Sequence, residues 1–289
     1  MHESKPLASV IIPVRNGAAT LGVQLSALAN QQHAPAFEVI VADNGSTDAT
    51  REVAASFTGC LNLRIVDASE ERGPSFARNV GAASATSSDV LFCDADDRVS
   101  RVWVGAMHRA LSVRRIVTGP IIYVDAVSAE QEPALPRKMP TGPRQCLDQV
   151  SFAGSGNLAM RMDVMAEFGG FDSALRSGED ADLSIRAQVA GYALGWVSEA
   201  IVFTARRPSL TATAHQFFRY GYYDVLLYRK LRGKGLSQRT VAQFARPYAV
   251  LALTPYRLVS RRRRLSWIVN ASQRAGRIVG SARFGVFCP

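Results

Sequence analysis

Short apolar runs alternate with amphipathic stretches along the first two hundred residues, and this alternation restricts the fold more than any other feature of the sequence. We predict buried strands at residues 9–14, 38–42, 63–66 and 90–93. Stretches with helical spacing of apolar residues lie between them, and such alternation is typical of an α/β fold with a largely parallel sheet. Three of the strands end at polar residues, and the carboxyl ends of parallel strands share one edge of a sheet. We therefore expect a ligand site on that edge.

Size and composition fit an ordinary globular protein with a substantial core. The chain has 289 residues, of which 47% are hydrophobic and 20% charged. Its four cysteines are far apart, without the paired spacing of a zinc site, and they suit a reducing compartment. We see no secretory signal and no apolar stretch long enough to span a bilayer. The sequence therefore predicts a cytoplasmic protein.

The charge is distributed very unevenly along the chain. Residues 206–289 hold 17 Lys or Arg and a single acid, a net charge of +16, whereas residues 1–205 hold 17 basic and 23 acidic residues, a net charge of −6. We predict two domains with this boundary: an α/β domain over 1–205 and a basic, aromatic, helical region over 206–289. A concentrated basic segment indicates an anionic partner, either phospholipid or nucleic acid.

Aromatic side chains are mixed with the basic ones in this C-terminal region. Phe217, Tyr223 and Trp267 are examples, and rings beside cations suit the headgroup layer of a membrane. No helix-turn-helix, RRM or zinc pattern is present, which disfavours nucleic acid. We expect an anionic membrane surface as the partner, with peripheral attachment to the inner face of the membrane. The alternative is a tail that only packs, with its arginines solvated.

Two aspartates separated by one residue follow the fourth predicted strand. Asp94 and Asp96 can face a common space across a tight turn and hold a hard cation that prefers oxygen ligands, such as Mg²⁺ or Mn²⁺. Such a cation stabilises a diphosphate as a leaving group. Acidic surface turns without a ligand are also common, so the motif needs support from its neighbours.

That support comes from six sequence blocks in a fixed order. They are residues 9–17, 41–48, 73–79, 94–97, 169–172 and 178–180. Together they resemble the family 2 glycosyltransferases over roughly residues 8–205. The resemblance implies a GT-A fold, a Rossmann-like sheet with flanking helices typical of nucleotide-diphospho-sugar transferases. It also implies inversion at the anomeric carbon and, in most members, a metal-bound donor.

The first three blocks correspond to the donor side of the family's site. Pro13 and Asp43 look like the nucleoside pocket, and a carboxylate at Asp43 can accept a hydrogen bond from uracil N–H, which suits a UDP-sugar. An Asx-turn closing the loop is the alternative for Asp43, and both can hold. Thr47 is predicted to cap the next helix. Gly73 would let the backbone approach the donor.

The donor side continues with a basic and an amide residue. Arg78 and Asn79 look like the family's donor-side pair, although Arg78 also fits a solvated helix face. By the same resemblance Asp94 contacts the ribose or the sugar, and Asp96 binds the metal. Asp97 is equally compatible with a structural cap and a ligand.

The last block supplies the candidate catalytic base. Inverting transfer needs a carboxylate that takes the acceptor hydroxyl's proton. Asp180, with Glu179 beside it, begins a predicted helix that runs to about residue 190, and the helix dipole keeps acids there ionised. The alternative is that both acids merely cap the helix. The family's usual His after the last strand is missing, and Arg206 or Arg207 would bind the diphosphate instead.

These inferences predict an enzyme that moves a sugar from a nucleotide-diphosphate donor to a hydroxyl of a glycan or lipid-linked acceptor. We expect this in the synthesis of cell-envelope glycans or glycolipids. Two alternatives belong to other classes. A sugar-phosphate nucleotidyltransferase would need a Gly-rich triphosphate loop, for which residues 15–18 are too poor in Gly and Lys. A non-catalytic nucleotide-sugar-binding or membrane scaffold would have a decayed site.

Overall fold

The computed structural model describes residues 5–147, 149–206, 209–234 and 241–288, except for the side chains of 241–244 and 261–262. The chain forms two compact units. The α/β unit comprises the residues up to 145 together with 151–174 and 179–206. The helical unit comprises residues 146–150, 175–178 and those from 207 onwards.

A seven-stranded mixed sheet forms the centre of the α/β unit. In spatial order its strands are β11 (Leu194–Trp196), β6 (Ile116–Thr118), β10 (Leu158–Arg161), β4 (Asp89–Phe92), β1 (Ala8–Val14), β2 (Phe37–Asp43) and β3 (Leu63–Asp67). Strands β1 to β4 run parallel, and β10 lies antiparallel to both β4 and β6. Every residue of β1 is buried, as expected of a strand whose two faces are both covered.

The α-helices of the described part of this unit are α1 (Leu21–Ala29), α2 (Thr50–Ala55), α3 (Pro74–Ala83), α4 (Trp103–Leu111), α5 (Met162–Glu167) and α6 (Glu179–Val189). Alternate strand residues belong to two apolar clusters, which is the two-residue period of a strand. Val10 and Ile12 join the cluster that contains Trp103, whereas Ile11 joins the cluster that contains Phe171. The sheet is therefore covered on both faces, and the predicted α/β class is confirmed.

A smaller sheet of β5 (Asp97–Val99), β12 (Val202–Ala205) and β7 (Ile121–Val124) lies in the same unit. Two further short strands, β8 (Arg144–Cys146) and β9 (Val150–Phe152), pair with each other. The strand β5 follows directly after the acidic turn at Asp94, so this turn is held at both ends by sheet structure.

The helical unit contains α7 (Leu210–Leu231), α8 (Val241–Leu253) and α9 (Arg261–Phe284). The backbones of α7 and α9 touch at glycines: a Cβ atom on Gly221 would lie 1.8 Å from the Gln273 carbonyl oxygen, and one on Gly276 would lie 2.0 Å from the carbonyl oxygen of Phe218. Glycine therefore sets the closeness of this helix pair. Within the described residues, no helix has the length and apolar character needed to cross a membrane.

Candidate active site

The sheet brings the predicted polar residues to one edge. Strands β4, β1 and β2 are neighbours and run parallel, so their carboxyl ends lie side by side. Pro13 lies opposite Ala42 near the end of β1, and Asp43 is the last residue of β2. Asp94 comes two residues after the end of β4. The edge predicted from the strand ends is therefore present.

Asp43 is fully buried, and both of its carboxylate oxygens have partners. Oδ1 accepts a hydrogen bond from the backbone N–H of Ser46 at 2.9 Å, which closes an Asx-turn, and Oδ2 pairs with the guanidinium of Arg51. Burial alone would raise the pKa of Asp43, but the hydrogen bonds from Ser46 and Arg51 hold it below its ordinary value. Asp43 is therefore an oriented, ionised acceptor. Arg51 carried no signal in the sequence.

Side chains tie the loop after β1 to the loop after β2. The Asn16 Oδ1 atom accepts from the Thr47 N–H at 2.8 Å, and the Thr50 hydroxyl accepts from the Gly17 N–H at 2.9 Å. Helix α2 begins only at Thr50, whose N–H donates to Asp48 Oδ1 at 3.1 Å. The prediction that Thr47 caps this helix is wrong because the helix starts three residues later.

Gly73 lies at the start of α3 with a backbone φ of +137°, a conformation that favours glycine. Its N–H donates to Asn44 Oδ1 at 2.9 Å, and the Asn44 amide donates to the Glu71 carbonyl at 2.7 Å. A Cβ atom at Gly73 would meet no atom within 4 Å. Open space therefore lies beside this backbone. Asn44 therefore fixes the turn before α3.

Arg78 joins two separate parts of the site. It is 4% exposed, its Nη2 atom lies 2.7 Å from Asp94 Oδ1, and its Nη1 atom lies 3.0 Å from Glu179 Oε1. The guanidinium carbon also lies 5.6 Å from the centre of the Phe171 ring. Burial would lower the pKa of Arg78, but the charges of Asp94 and Glu179 outweigh it and raise the pKa. Arg78 is a buried cation, so its interpretation as a solvated helix face is wrong.

Glu179 titrates near neutrality. Its residue is 8% exposed, and burial raises its pKa to about 7, with repulsion from Asp180 adding to the rise and Arg78 opposing it. A carboxyl with this pKa exchanges its proton in the physiological range. The first turn of α6 therefore holds one acid that is easily protonated.

Asp180, the neighbouring acid, is only partly buried and is oriented by backbone groups. Its Oδ2 atom accepts from the Ser155 N–H at 3.1 Å, and its Oδ1 atom accepts from the Ala181 N–H at 2.7 Å. Each carboxylate oxygen has two lone pairs, so both keep capacity for a further donor. The segment around Ser155, not singled out as part of the site by the sequence, positions this carboxylate.

The acidic turn offers oxygen ligands for a hard cation. A Cβ atom at Gly156 would lie 2.9 Å from Asp94 Oδ2 and 3.3 Å from Asp97 Oδ2, so glycine leaves room beside both carboxylates. Asp96 is exposed. Among the described residues there is no group of three or more His, Cys, Asp or Glu side chains that could hold a metal. A cation with one or two carboxylates, waters and substrate phosphates fits this donor set, as Mg²⁺ commonly binds.

Asn79, on α3, holds the glycine-rich turn at residues 169–172 against this helix. Its Oδ1 atom accepts from the Phe171 N–H at 2.9 Å, and its Nδ2 atom donates to the Phe171 carbonyl at 2.8 Å. Gly170, with φ +72°, has no room for a side chain because a Cβ atom would lie 2.5 Å from Asn79 Oδ1. Both atoms of the Asn79 amide group are therefore used to hold this turn. The predicted contact of Asn79 with the donor stays a prediction.

Arg206 follows the last strand of the small sheet. Its Nη1 atom lies 3.0 Å from Asp125 Oδ1, and its Nη2 atom donates to the Tyr123 carbonyl at 2.9 Å. Arg207, the other predicted diphosphate contact, lies outside the described residues.

Comparison with known families identifies the chain's class. The model of "Glycosyl transferase family 2" matches residues 9–169, and that of "Glycosyl transferase family group 2" matches residues 144–279. Glycosyltransferase AglE of Haloferax volcanii is 31% identical over 220 residues, which are 72% of this chain and 70% of that protein. The pre-mycofactocin glycosyltransferase of Mycobacterium tuberculosis is 30% identical over 215 residues, which are 70% of this chain but only 43% of that protein.

Solved structures agree on the fold. The mannosyltransferase PcManGT from Pyrobaculum calidifontis, in complex with GDP-Man and Mn²⁺, has a TM-score of 0.67 at 16% identity and covers 96% of this chain and 88% of its own. Residues 1–349 of Staphylococcus aureus TarS give a TM-score of 0.56 at 20% identity, covering 98% and 93%. The fold is therefore GT-A. With the family model covering more than half of its length, this chain belongs to glycosyl transferase family 2 and is a glycosyltransferase.

Proposed function

We propose that this chain is an inverting transferase that moves a sugar from a UDP-sugar to a hydroxyl of a glycan or lipid-linked acceptor, in cell-envelope glycan or glycolipid synthesis. The observation that carries the proposal is the Arg78 bridge. It joins Asp94, on the donor side, to Glu179 in the first turn of α6, directly before Asp180. The donor-side carboxylate is thereby tied to the helix turn that carries the candidate base.

The nucleoside binds beside Pro13 and Asp43. Asp43 is kept ionised and oriented by Ser46 and Arg51, and an ionised carboxylate accepts a hydrogen bond from uracil N3–H. TarS has been solved with UDP-GlcNAc, whereas PcManGT has been solved with GDP-Man, so the fold admits either base. Asp43 can accept from uracil here, and the open space beside the Gly73 backbone admits the donor.

Asp96 would hold Mn²⁺ or Mg²⁺, which when bound neutralises charge on the leaving diphosphate. Asp94 is oriented by Arg78 and contacts the ribose or the sugar. Arg206, or Arg207, supplies further positive charge to the diphosphate. The contact of Arg206 with Asp125 does not oppose this role, because the Asp125 side chain is 94% exposed and surface pairs contribute little.

Asp180 takes the proton from the acceptor hydroxyl as that oxygen attacks the anomeric carbon, and the bond to the diphosphate breaks on the opposite face. Asp180 suits this role better than Glu179. Glu179 is bound to the buried Arg78 and is almost fully buried, whereas Asp180 is partly exposed and oriented by two backbone donors. Orientation by fixed N–H groups prepares a base for transfer.

The helical unit attaches the enzyme peripherally to the inner face of the membrane, where a lipid-linked acceptor is available. Its net positive charge supports this proposal, since clustered Lys and Arg are attracted to anionic headgroups. Neither a nucleotidyltransferase nor a scaffold fits as well, because the family is one of glycosyltransferases.

A ligand screen followed by a turnover assay tests the catalytic part. UDP-sugars and GDP-sugars are compared for thermal stabilisation of the protein with and without Mn²⁺, since a ligand of the folded state raises its apparent stability. Release of UDP from the best donor is then measured. We expect a UDP-sugar to stabilise most and Asp96→Ala to abolish the Mn²⁺-dependent part. Stabilisation by GDP-sugars alone would contradict the assignment of uracil as the base. Equal affinity of the unaltered protein and of Asp96→Ala for UDP with Mn²⁺, measured by calorimetry, would contradict the role of Asp96 as metal ligand.

A further inference from the structure

The single acid of the C-terminal region is already neutralised inside the helical unit. Asp224 on α7 lies 2.9 Å from the Arg277 guanidinium on α9, and its Oδ2 atom accepts from Gln273 at 3.0 Å. The side chains of Arg277 and Asp224 are 12% and 19% exposed. No other acid lies in residues 207–289.

The aromatic residues expected at a membrane are largely used for packing. The Trp267 indole N–H donates to the Leu251 carbonyl at 3.3 Å, which ties α9 to α8, and Phe217 and Tyr223 are half-buried and contact neighbouring rings on α7. Several exposed apolar side chains lie instead where α8 leads into α9, a segment that we call the α8–α9 corner, residues 250–266.

Apolar side chains of this corner are highly exposed. Val259 is 91% exposed, Leu253 77% and Tyr256 58%, and three more, Val250, Leu258 and Leu265, are between 37% and 47% exposed. Single exposed apolar residues are ordinary, but a contiguous group of them marks an interaction surface.

A polar cleft of about 710 Å³ lies in the same corner. It is lined by Arg257, Ser260, Arg263 and Ser266. Within the described residues, neither arginine side chain has a hydrogen-bond or ion-pair partner. Ser260 precedes the first residue of α9, whose N-terminal end carries the positive pole of a helix of 24 residues. Guanidinium groups, hydroxyls and a helix N-terminus are the donors that bind phosphate.

We propose that the α8–α9 corner is a binding site for the phosphate headgroup of an anionic phospholipid. Arg257 and Arg263 contact the headgroup, and Leu253, Tyr256 and Val259 enter the boundary between headgroups and acyl chains. Charge complementarity selects this occupant: a cleft lined by two cations without acid partners among the described residues, in the same segment as exposed apolar side chains, matches a negatively charged leaflet. The inference rests on the membrane attachment of the proposed function and names the residues responsible for it.

Vesicle co-sedimentation tests the charged part of the site. Full-length protein is mixed with phosphatidylglycerol or phosphatidylcholine vesicles, and Arg257→Gln/Arg263→Gln is compared with Arg219→Gln/Arg283→Gln. The control pair removes the same charge from exposed positions of α7 and α9. We expect the corner pair to weaken partition to phosphatidylglycerol about thirtyfold, which is two charges at about 1 kcal/mol each. The control pair should weaken this partition less than about threefold, which corresponds to roughly half of the energy that one charge contributes.

The apolar part has its own matched pair. Leu253→Ser/Val259→Ser removes two exposed side chains of the corner, whereas Ile278→Ser/Val279→Ser removes two from α9 that are 53% and 48% exposed. We expect about a tenfold loss of partition for the corner pair, from the apolar surface that no longer leaves water, and little change for the control. Both pairs replace exposed residues, and melting curves that match the unaltered protein establish that each variant is folded.

Three results would overturn the proposal. Equal losses of vesicle partition from both arginine pairs would mean that the positive charge of the region attracts lipid diffusely, without a localised site. Unchanged partition in both corner variants means that the corner does not touch lipid. Binding of duplex DNA but not of vesicles by the unaltered protein means a nucleic-acid partner. Release of UDP without vesicles is measured on the same samples and should be unaffected by the corner variants. Its absence in all samples would count against the proposed transfer but leave the lipid result standing.

Discussion

The two units of this chain treat charge in opposite ways. In the α/β unit the buried Arg78 lies between Asp94 and Glu179, and the buried Asp89 lies between His108 and Arg161. In residues 206–289 one arginine, Arg277, is paired with Asp224, the single acid of that segment, and most other described cations are exposed. Paired charges fix a geometry, whereas unpaired charges attract a partner.

The apolar surface follows the same division. The sheet of the α/β unit is covered on both faces, with Trp103, Phe92 and Phe171 among its fully buried side chains. In the helical unit, α7 and α9 touch through backbone at glycines, and Val259 and Leu253 are exposed. An ion-paired site in one unit and exposed apolar side chains in the other are what the proposed transfer to a membrane-associated acceptor would need.

The largest effect should come from Asp180, the proposed base in the rigid unit. We expect Asp180→Asn to keep donor affinity and to lose roughly 10² to 10⁴ in turnover, the usual contribution of a positioned general base. Glu179→Gln is the control and should lower turnover less, because Glu179 is paired with the buried Arg78 and is not the proposed base. UDP release and calorimetric donor binding are measured on both. A near-normal rate for Asp180→Asn would make Asp180 a helix cap.

Arg78→Ala tests whether the charges of the α/β unit matter more for stability than those of the helical unit. It leaves two carboxylates without their cation, and removing one partner of a buried ion pair costs about 3–5 kcal/mol of unfolding free energy. Arg219→Ala on the exposed face of α7 should cost less than about 0.5 kcal/mol, as surface substitutions do. Urea unfolding of both variants gives the two values. Similar small losses would mean that the charges of the α/β unit are no more structural than those of the helical unit.

The packing of the helical unit can be broken through its glycines. Gly276→Val would place a Cβ atom 2.0 Å from the Phe218 carbonyl oxygen, so α7 and α9 must separate. We expect a loss of about 1–3 kcal/mol, the usual cost of overpacking, together with faster proteolysis after residue 207. Gly59→Val is the control, because a Cβ atom there meets nothing within 4 Å and its φ is not positive. Equal protease resistance of both variants would refute close α7–α9 packing.

Local pattern predicted the parts of the site that lie next to strand ends. Pro13, Asp43 and Asp94 could be placed on one edge because parallel strands end together. Arg78 and Glu179 are 101 residues apart, and no local rule pairs them. Likewise Arg51, Asn44 and the Ser155 backbone orient site groups through contacts that only the folded chain creates.

In the helical unit the basic composition was informative but the choice of side chains was not. Trp267 was expected to enter a membrane, yet its indole ties α9 to α8. The exposed positions are Leu253 and Val259, on either side of a short 3₁₀ turn. The anionic partner that composition indicates stays a prediction, and exposure depends on which face each helix buries.

The pH dependence of stability again separates the units. Burial, with repulsion from Asp180, raises the pKa of Glu179 from 4.5 to about 7, against the opposing charge of Arg78 and with a minor contribution from Asp94. Between these two pH values the folded chain therefore binds more protons at this site than the unfolded chain does. Stability then falls as the pH rises through that window, with a slope no steeper than about 1.4 kcal/mol per pH unit for one proton.

Glu179→Gln removes this titration, so its unfolding free energy should vary less between pH values of about 4.5 and about 7 than that of the unaltered protein. The glutamine can still accept a hydrogen bond from Arg78, so the substitution should lower the free energy of unfolding little in other ways. Arg219→Gln in the helical unit serves as the control and should leave the pH profile unchanged, because it removes an exposed cation that does not titrate in this range. Urea unfolding at several pH values gives the three profiles. Parallel profiles for the unaltered protein and Glu179→Gln would mean that Glu179 keeps its ordinary pKa, and that the Arg78 bridge stabilises its charge as fully as water does.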